Sequence, residues 1–387
     1  MNSRSLSSSG EEQSFLYNIP AQFRDIPWQT AAKYLAIGTT AAGATYFIVK
    51  KLRVAEKPEK MILSKDPLRL PQPIIGPPGS VATSQAVQTE TSADSIPTVS
   101  QLSIYPIKSC RGILVNSYHC GETGPELHTE FGIVRDRTWM VTTSKYVFIT
   151  QRKRPKMSLI IPSINGSKLQ INAPGMRTLQ VALCPCPTDG NPIETEVWGA
   201  KIAALDLGDE AGAWFAEYLN LPGARFIFHP QEFGGRDLTE GNPADLDLWK
   251  KGDKCAFADG APYLLLSEES VAEFSTHLEE PVSWNNFRPN ILVAGCTPYA
   301  EDAWRTFSIG EAQFRNAKLC TRCTMTTVDP QKGDFSRKDV LQTLKKYRMN
   351  QSPEWQTVYE NNPLISINLG LNKAGIVAVG DAVRQTS

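Results

Sequence analysis

The sequence predicts a mainly β (α+β) fold, in which short strands form a barrel or sandwich and a few helices flank them. From residue 99 onward, short alternating or β-branched runs are bounded by Gly, Pro, Asn or Ser. Apolar residues recur at helical spacing in three segments. No repeat of the solenoid or propeller kind is visible. The spacing of the runs favours a barrel or sandwich over a parallel α/β sheet.

Length and composition narrow the class of protein further. The chain has 387 residues, which allows two folded domains plus appendages. Its 40 Lys and Arg balance 40 Asp and Glu, so binding of nucleic acid through a basic face is not expected. Eight irregularly spaced cysteines indicate free thiols in a reducing compartment, and four histidines argue against a His-rich metal cage.

The amino-terminal quarter is predicted to lie outside the globule. Residues 1–33 are interpreted as a disordered head, and residues 54–98, rich in Pro, Ser and Thr, as a linker. Between them, 34–49 carries no charge and would span ~24 Å as a helix, against ~30 Å for a hydrocarbon core. We interpret 34–53 as a single-pass membrane anchor rather than a buried helix or a cleaved signal. The basic cluster that follows it places the carboxyl-terminal body in the cytosol.

The body divides into a predicted β-rich domain at 99–230 and a second domain at 231–385. Strands are predicted in the first at QLSIYPIKS, TWMVTTS, KYVFITQ, SLIIPSI, KLQINA and LQVAL, and in the second at CAFAD, PYLLLS, NILVAG, WRTFSIG, AQFRNA, ISINLG and IVAVGDAV. A helix is expected over Glu210–Leu219, closed by Gly223. Two more are expected to begin at Ser267 and at Ser336, each as N-cap.

The segment 318–333, KLCTRCTMTTVDPQKG, is the densest candidate for chemistry. Cys320 and Cys323 lie among cationic residues, which favour the thiolate that ligates metals. A closed zinc site would need two further ligands, a thioredoxin-like site would need a βαβ setting, and two packed core cysteines are the plain alternative. Basic residues suited to a phosphorylated cofactor occur elsewhere in the chain, at positions 108, 135, 137, 152 and 288. Sequence spacing does not show whether they converge.

Six motifs carry a resemblance to a known family: YPIKSC (105–110), VRDRTW (134–139), TQR (150–152), NNFRPNILVAGC (285–296), YAEDAW (299–304) and CTRCTMTTVDPQKG (320–333). In order and spacing they resemble the MOSC superfamily, and within it the animal mitochondrial amidoxime-reducing components, over about residues 99–385. The pairing of FRPN with CxRCxxTTVDP is highly specific. The resemblance implies a MOSC-type β-barrel preceded by a β-rich MOSC-associated domain.

The resemblance also implies the site residues. Cys323 matches the protein ligand of molybdenum and is the expected catalytic and metal-binding residue, with Cys320 as a packed neighbour. The other positions implied to hold the molybdenum cofactor (Mo-molybdopterin) are Lys108, Ser109, Arg137, Gly260, Ala261, Arg288, Asn290, Thr321 and Arg322. Gly260 and Ala261 depart from the Thr-Ser pair of relatives, so any contact there is expected through backbone groups.

The implied activity is reduction of small N-hydroxylated substrates such as amidoximes and hydroxylamines. No Gly-x-Gly-x-x-Gly follows a predicted strand, so electrons are expected from another protein. The resemblance points to cytochrome b5 and NADH-cytochrome b5 reductase, at the outer mitochondrial membrane. Three alternatives stay open: a non-catalytic carrier of the cofactor, a zinc or thiol-redox protein, and a molybdenum-cofactor sulfurase. Residues 1–98 are too few to hold the large pyridoxal-phosphate domain that a sulfurase would need.

Overall fold

The computed structural model describes residues 96–240 and 248–386. The predicted head and anchor, and the linker up to residue 95, lie outside the described residues. Within those two ranges, no helix has the length and apolar character needed to cross a membrane.

Strands dominate the described part of the chain, which confirms the mainly β prediction. The strands are β1 (Thr98–Ile104), β2 (Ile113–Val115), β3 (Ser117–Gly121), β4 (Gly124–Thr129), β5 (Gly132–Arg135), β6 (Trp139–Thr142), β7 (Ile161–Asn165), β8 (Lys168–Asn172), β9 (Leu179–Ala182), β10 (Asn191–Val197), β11 (Ala200–Asp206), β12 (Arg225–Phe228), β13 (Arg236–Asp237), β14 (Lys254–Cys255), β15 (Tyr263–Ser267), β16 (Ile291–Ala294), β17 (Thr306–Ile309), β18 (Ala312–Thr321), β19 (Leu364–Lys373), β20 (Gly375–Ala378) and β21 (Val383–Thr386). The α-helices are α1 (Asp209–Leu219), α2 (Glu268–Ser275), α3 (Lys338–Tyr347) and α4 (Gln356–Tyr359).

The largest sheet has eight strands in the order β2-β1-β16-β15-β19-β18-β17-β21. Neighbouring strands are antiparallel except β15 and β16, which are parallel. The sheet curls back on itself, because Val383 N donates to Pro97 O at 2.7 Å and Val99 N donates to Asp381 O at 2.8 Å. Backbone hydrogen bonds therefore link the beginning of β1 to the chain around the beginning of β21.

Four smaller sheets complete the β structure: β10-β11-β12-β6, β20-β3-β4-β5, β7-β8-β9 and β13-β14. The predicted boundary after residue 230 lies between β12 and β13, but strands from both sides of it share two sheets. β1 pairs with β16, and β3 pairs with β20. The two predicted halves are thus joined by backbone hydrogen bonds, and the division at residue 230 stays a prediction.

Two of the three predicted helices differ from the prediction in the residue that caps them. α2 begins as expected, because the Ser267 side chain accepts a hydrogen bond from Ser270 N. α1 ends at Leu219 as predicted, but it is closed by Asn220, whose left-handed φ of 47° reverses the chain three residues before Gly223. The predicted N-cap of α3 at Ser336 is wrong. The N-cap position is occupied by Arg337, whose side chain makes no capping hydrogen bond. Its guanidinium donates instead to the carbonyls of Glu280 and Pro281.

Two predicted strands are shorter than expected because their backbone groups have other partners. In CAFAD the strand ends at Cys255, and the carbonyls that follow accept hydrogen bonds from cations. Lys108 Nζ donates to Phe257 O, and the Arg236 guanidinium donates to the carbonyls of Ala256 and Ala258. The segment KYVFITQ forms isolated bridges rather than a regular strand.

Candidate functional site

A cavity of about 550 Å³ lies against the large sheet and collects residues from distant parts of the chain. Lys318 and Asn368, which are paired across β18 and β19, both line it. The structure places every site residue predicted from the sequence on its wall: Lys108, Ser109, Arg137, Gly260, Ala261, Arg288, Asn290, Thr321, Arg322 and Cys323. Their individual roles toward a cofactor stay predictions.

The segment after β1 presents a buried hydroxyl to the cavity. Ser109 has a left-handed backbone (φ 66°), and its carbonyl accepts from Gln151 Nε2 at 2.7 Å. Its Oγ is buried and has no hydrogen-bond partner among the described residues. A buried hydroxyl without a partner costs free energy, so it marks a position where a bound molecule would supply the missing contact.

A hydrogen-bonded network fixes Arg137 and Asn290 at the cavity. Asp136 is buried and accepts from Tyr105 N at 2.8 Å, from Asn290 Nδ2 at 3.1 Å and from Arg137 Nη1. Arg137 Nη1 also donates to Asn290 Oδ1 at 3.2 Å, and the same oxygen accepts from Leu264 N. Burial raises the pKa of Asp136, and the Arg137 guanidinium opposes that rise. The network holds one guanidinium rigidly beside the cavity.

Two guanidinium groups lie over the Tyr105 ring. The Cζ atoms of Arg137 and Arg288 are 4.4 Å and 4.3 Å from its centroid. Arg288 Nη1 donates to Cys110 O at 2.6 Å, whereas its buried Nη2 has no partner within the described ranges. Arg288 and Arg137 both have left-handed backbones, with φ of 58° and 49°. Such conformations are unfavourable for non-glycine residues and cluster at functional sites.

The cysteine motif forms the end of β18 and the 3-10 turn that follows. β18 departs from regular pairing with β19 at three places within 313–321, and bulges of this kind redirect side chains. Arg322 anchors the motif by donating to Ile365 O and Phe287 O, each at 3.0 Å, and to Ser366 Oγ. Asn286 Nδ2 donates to Val328 O at 3.1 Å and so fastens the far end of the turn. These contacts hold the backbone on both sides of Cys323.

The sulfur of Cys323 faces a cation. Arg152 Nη1 lies 3.8 Å from Cys323 Sγ, and its guanidinium is stacked 4.6 Å above the Trp198 ring. Cys323 is half-buried and lines the cavity. Cys320 is also half-buried and also lines the cavity, and its Sγ lies 3.6 Å from the carbonyl oxygen of Thr321. Of the two cysteines, Cys323 is thus the one whose sulfur accepts from a guanidinium.

Among the described residues, the carboxylate that lines the cavity is Asp259, and it is held by cationic and neutral donors. Asp259 forms an ion pair with Lys108 and accepts from Trp198 Nε1 at 2.9 Å. Desolvation would raise the pKa of Asp259, but the Lys108 ammonium, the Trp198 hydrogen bond and the Arg152 charge together hold that pKa well below its ordinary value. Burial lowers the pKa of Lys108, and the Asp259 charge opposes that shift. Asp259 is therefore ionised, and it compensates part of the positive charge around it.

The lining as a whole is suited to an anion. Among the described residues that form the wall, seven are Lys or Arg and one is Asp: Lys108, Arg137, Arg152, Arg236, Arg288, Lys318, Arg322 and Asp259. Two buried donors without partners, Ser109 Oγ and Arg288 Nη2, lie on the same wall. This donor set, with two half-buried cysteines on the same wall, fits a phosphorylated cofactor that also brings a sulfur-binding metal.

Sequence reasoning missed several of the lining residues, among them Trp198, Arg236 and Asp259. Trp198 and Arg236 sit outside every motif quoted above, and Asp259 lies in a segment predicted to be a strand. The signal that could have found Asp259 is its place beside Gly260 and Ala261 in DGAP, a turn-forming sequence. Trp198 has a left-handed φ of 53° and is 53% exposed, which the sequence does not indicate.

Comparison with known proteins identifies two domains and a set of similar proteins. The chain matches the MOSC N-terminal beta barrel domain over residues 96–222 and the MOSC domain over residues 252–384. It is similar to mitochondrial amidoxime reducing component 2 of Bos taurus, with 37% identity over 74% of this chain and 83% of that protein. It is similar to mitochondrial amidoxime-reducing component 1 of Homo sapiens, with 35% identity over 74% of this chain and 82% of that protein. Component 1 of Mus musculus is 34% identical over 74% and 81%.

Proposed function

The chain belongs to the MOSC-domain family of mitochondrial amidoxime-reducing components, and from this membership we propose that it is a molybdenum-cofactor-dependent reductase of N-hydroxylated compounds. The observation that carries the proposal is the position of Cys323. Its sulfur lies on the wall of a strongly basic cavity, 3.8 Å from Arg152 Nη1. A sulfur ligand and an anion-binding wall are what a phosphorylated metal cofactor requires.

Each group of the wall has a part in the proposal. Ser109 Oγ and Arg288 Nη2 would donate to the cofactor's polar groups, which would satisfy two buried donors that have no protein partner in the described ranges. Arg137, fixed by Asp136 and Asn290, would add a preorganised positive charge. Cys323 would be the protein ligand. When bound, the molybdenum centre supplies two-electron reduction, which removes oxygen from an N-hydroxylated substrate.

The cavity residues would also orient the substrate. Trp198 offers an exposed ring at the cavity, held by its hydrogen bond to Asp259 and by the stacked Arg152. The aromatic ring of a substrate that carries an amidoxime or hydroxamic group could stack on the Trp198 ring. Asp259 would then offer an acceptor, and Arg152 a donor, to the polar group of that substrate. The protein's contribution is then positioning and charge compensation.

Electron supply, membrane and partners belong to the same proposal. The sequence lacks a Gly-x-Gly-x-x-Gly fingerprint after a strand, so we propose that cytochrome b5, reduced by NADH-cytochrome b5 reductase, supplies electrons. The anchor proposed at residues 34–53 would hold the body on the cytosolic face of the outer mitochondrial membrane. The linker that follows it would let the body turn toward its partners.

The test is reduction of benzamidoxime by the purified protein with NADH, cytochrome b5 and its reductase, together with molybdenum and pterin analysis. Cys323→Ala should abolish turnover and keep the fold, since the side chain is half-buried and replaced by a smaller one. Cys320→Ala is the matched control and should cost less activity, because Cys320 Sγ lies against the carbonyl oxygen of Thr321. Wild-type turnover in Cys323→Ala would refute the ligand assignment.

The same assay separates the alternatives. Retention of molybdenum and pterin without turnover would favour a cofactor carrier. Zinc in place of molybdenum, lost on Cys323→Ala or Cys320→Ala, would favour a zinc or thiol-redox protein.

A further inference from the structure

A second cluster of ligand-type side chains lies on the β3–β4 hairpin, in the sheet β20-β3-β4-β5. Alternation places Glu126 and His128 on one face of β4, and the register opposes His119 of β3 to Glu126. Arg135 of β5 opposes Glu126 on the other side. Among the described residues that line the basic cavity, none belongs to this cluster.

Both imidazoles face the same carboxylate oxygen. His119 Nδ1 lies 3.3 Å and His128 Nε2 lies 3.5 Å from Glu126 Oε2, and the three atoms lie within 4.8 Å of one another. The other carboxylate oxygen, Oε1, accepts from Arg135 Nε at 3.1 Å. Arg135 therefore fixes the orientation of the carboxylate and leaves Oε2 directed at the two imidazoles, as outer-shell partners of metal ligands do.

The separations are long for hydrogen bonds and suited to ligands of one ion. Ordinary N–H···O bonds have N···O distances of about 2.7–3.2 Å. The protein supplies its own comparison, since His277 Nε2 and Glu273 Oε1 form a His–Glu pair at 2.9 Å. Two ligands at about 2.0–2.1 Å from a tetrahedral Zn²⁺ are separated by about 3.3 Å, which matches the His119–Glu126 and His128–Glu126 distances.

The hairpin also leaves room for the ligands to adjust. A Cβ atom at Gly121 would lie 2.5 Å from the Glu126 carboxylate, so glycine there makes space for that side chain. The His128 side chain is 56% exposed and can rotate toward the ion without displacing packed atoms. Closing the remaining distance between the two imidazole nitrogens therefore needs a side-chain rotation and no backbone movement.

We propose that His119, Glu126 and His128 form a binding site for a divalent transition-metal ion of the Zn²⁺ class. Two imidazoles and one carboxylate make a three-ligand set, and the exposure of His128 leaves the fourth position to water. Such a site holds β3 to β4 through side chains. It requires two of the four histidines of the chain, so the small number of histidines noted in the sequence does not argue against it.

The test is a Zn²⁺ titration of the purified full chain in competition with a chromophoric chelator. Wild type should bind one equivalent that is lost in both His119→Ala and His128→Ala. His277→Ala is the matched control, because it removes a histidine that already has a carboxylate partner, and it should retain the equivalent. Circular dichroism in the absence of metal should be the same for all variants, since neither cluster histidine is fully buried.

A Co²⁺ substitution identifies the ligand type. Bound Co²⁺ should show ligand-field bands without a thiolate-to-cobalt charge-transfer band, and the spectrum should persist in Cys323→Ala. Glu126→Gln, which keeps the size of the side chain, should weaken the binding. No stoichiometric binding, an equivalent that survives in both histidine variants, or one that is lost with Cys323, would each overturn the proposal.

Discussion

Replacing Arg288 with Met should separate cofactor retention from the stability of the fold. The two terminal nitrogens of the Arg288 guanidinium differ. Nη1 donates to Cys110 O at 2.6 Å, whereas the buried Nη2 has no hydrogen-bond partner among the described residues. Methionine keeps most of the length of the side chain and its contact with the Tyr105 ring. It removes both the donors and the positive charge.

The two expected effects have different magnitudes. Loss of the Cys110 contact leaves a carbonyl unsatisfied, which costs about 1–3 kcal/mol, and removal of the unpartnered Nη2 relieves a cost of about the same size. The free energy of unfolding of the cofactor-free protein should therefore change by about 1 kcal/mol or less. A charge-assisted hydrogen bond to the cofactor is worth about 1.5–3 kcal/mol, so cofactor affinity should fall about 10- to 150-fold.

The assay is pterin content after oxidation, measured by fluorescence during dialysis, beside a denaturant titration of the cofactor-free protein. Arg337→Met is the matched control. Arg337 is buried and donates to Glu280 O, to Pro281 O and to Asp339, but it lies outside the cavity lining. That variant should lose about 1–3 kcal/mol of stability and keep its pterin.

The two variants should therefore show opposite patterns: Arg288→Met loses pterin and keeps its stability, whereas Arg337→Met loses stability and keeps its pterin. The role given to Arg288 Nη2 would be refuted if Arg288→Met retained pterin like wild type. It would also be refuted if the loss of pterin were proportional to a large loss of stability.

Two further changes have defined outcomes. Burial raises the pKa of Glu301 from 4.5 to about 7, so its contribution to stability is fully present below pH about 4.5 and is lost as the pH rises through about 7. In urea titrations, the free energy of unfolding of the wild type should fall by ~3 kcal/mol over that pH interval, and Glu301→Gln should not show this fall. The same pH dependence in the variant and the wild type would contradict the assignment. Gly260→Thr with Ala261→Ser should leave the melting temperature unchanged, because no described atom lies within 4 Å of a Cβ at Gly260. The added hydroxyls should slow pterin loss a few-fold, as one or two new hydrogen bonds would, and an unchanged rate of loss would show that the cofactor does not approach this loop.

The sequence predicted elements wherever a local pattern determined them. α2 was predicted to its first residue, because a Ser N-cap followed by two acidic residues is a local signal. The beginning of α3 was not, because Arg337 is held by carbonyls of residues 280 and 281, which local patterns do not report. The premature end of CAFAD has the same cause, since its carbonyls turn toward Lys108 and Arg236.

The site follows the same division between local and long-range information. Motifs and family resemblance identified ten lining residues, but their convergence depends on contacts between residues far apart in the chain. Lys108 and Asp259 are separated by 151 positions, and Arg152 and Cys323 by 171. Trp198 lies in a turn that carries no motif, and only the folded chain brings it over Arg152.

The residues that form the cavity lower the free energy of unfolding of the chain. Four lining residues, Ser109, Arg137, Trp198 and Arg288, have left-handed backbones, each of which costs about 1–3 kcal/mol. Seven basic side chains repel one another around a single described carboxylate on the wall. An anionic cofactor would relieve the repulsion and satisfy Ser109 Oγ and Arg288 Nη2, so its binding energy would add to the free energy of unfolding. If the cofactor binds the folded state alone, the strained backbone and the clustered charge would be the preorganisation that makes the wall selective for it, and this would explain why the chain keeps a costly arrangement.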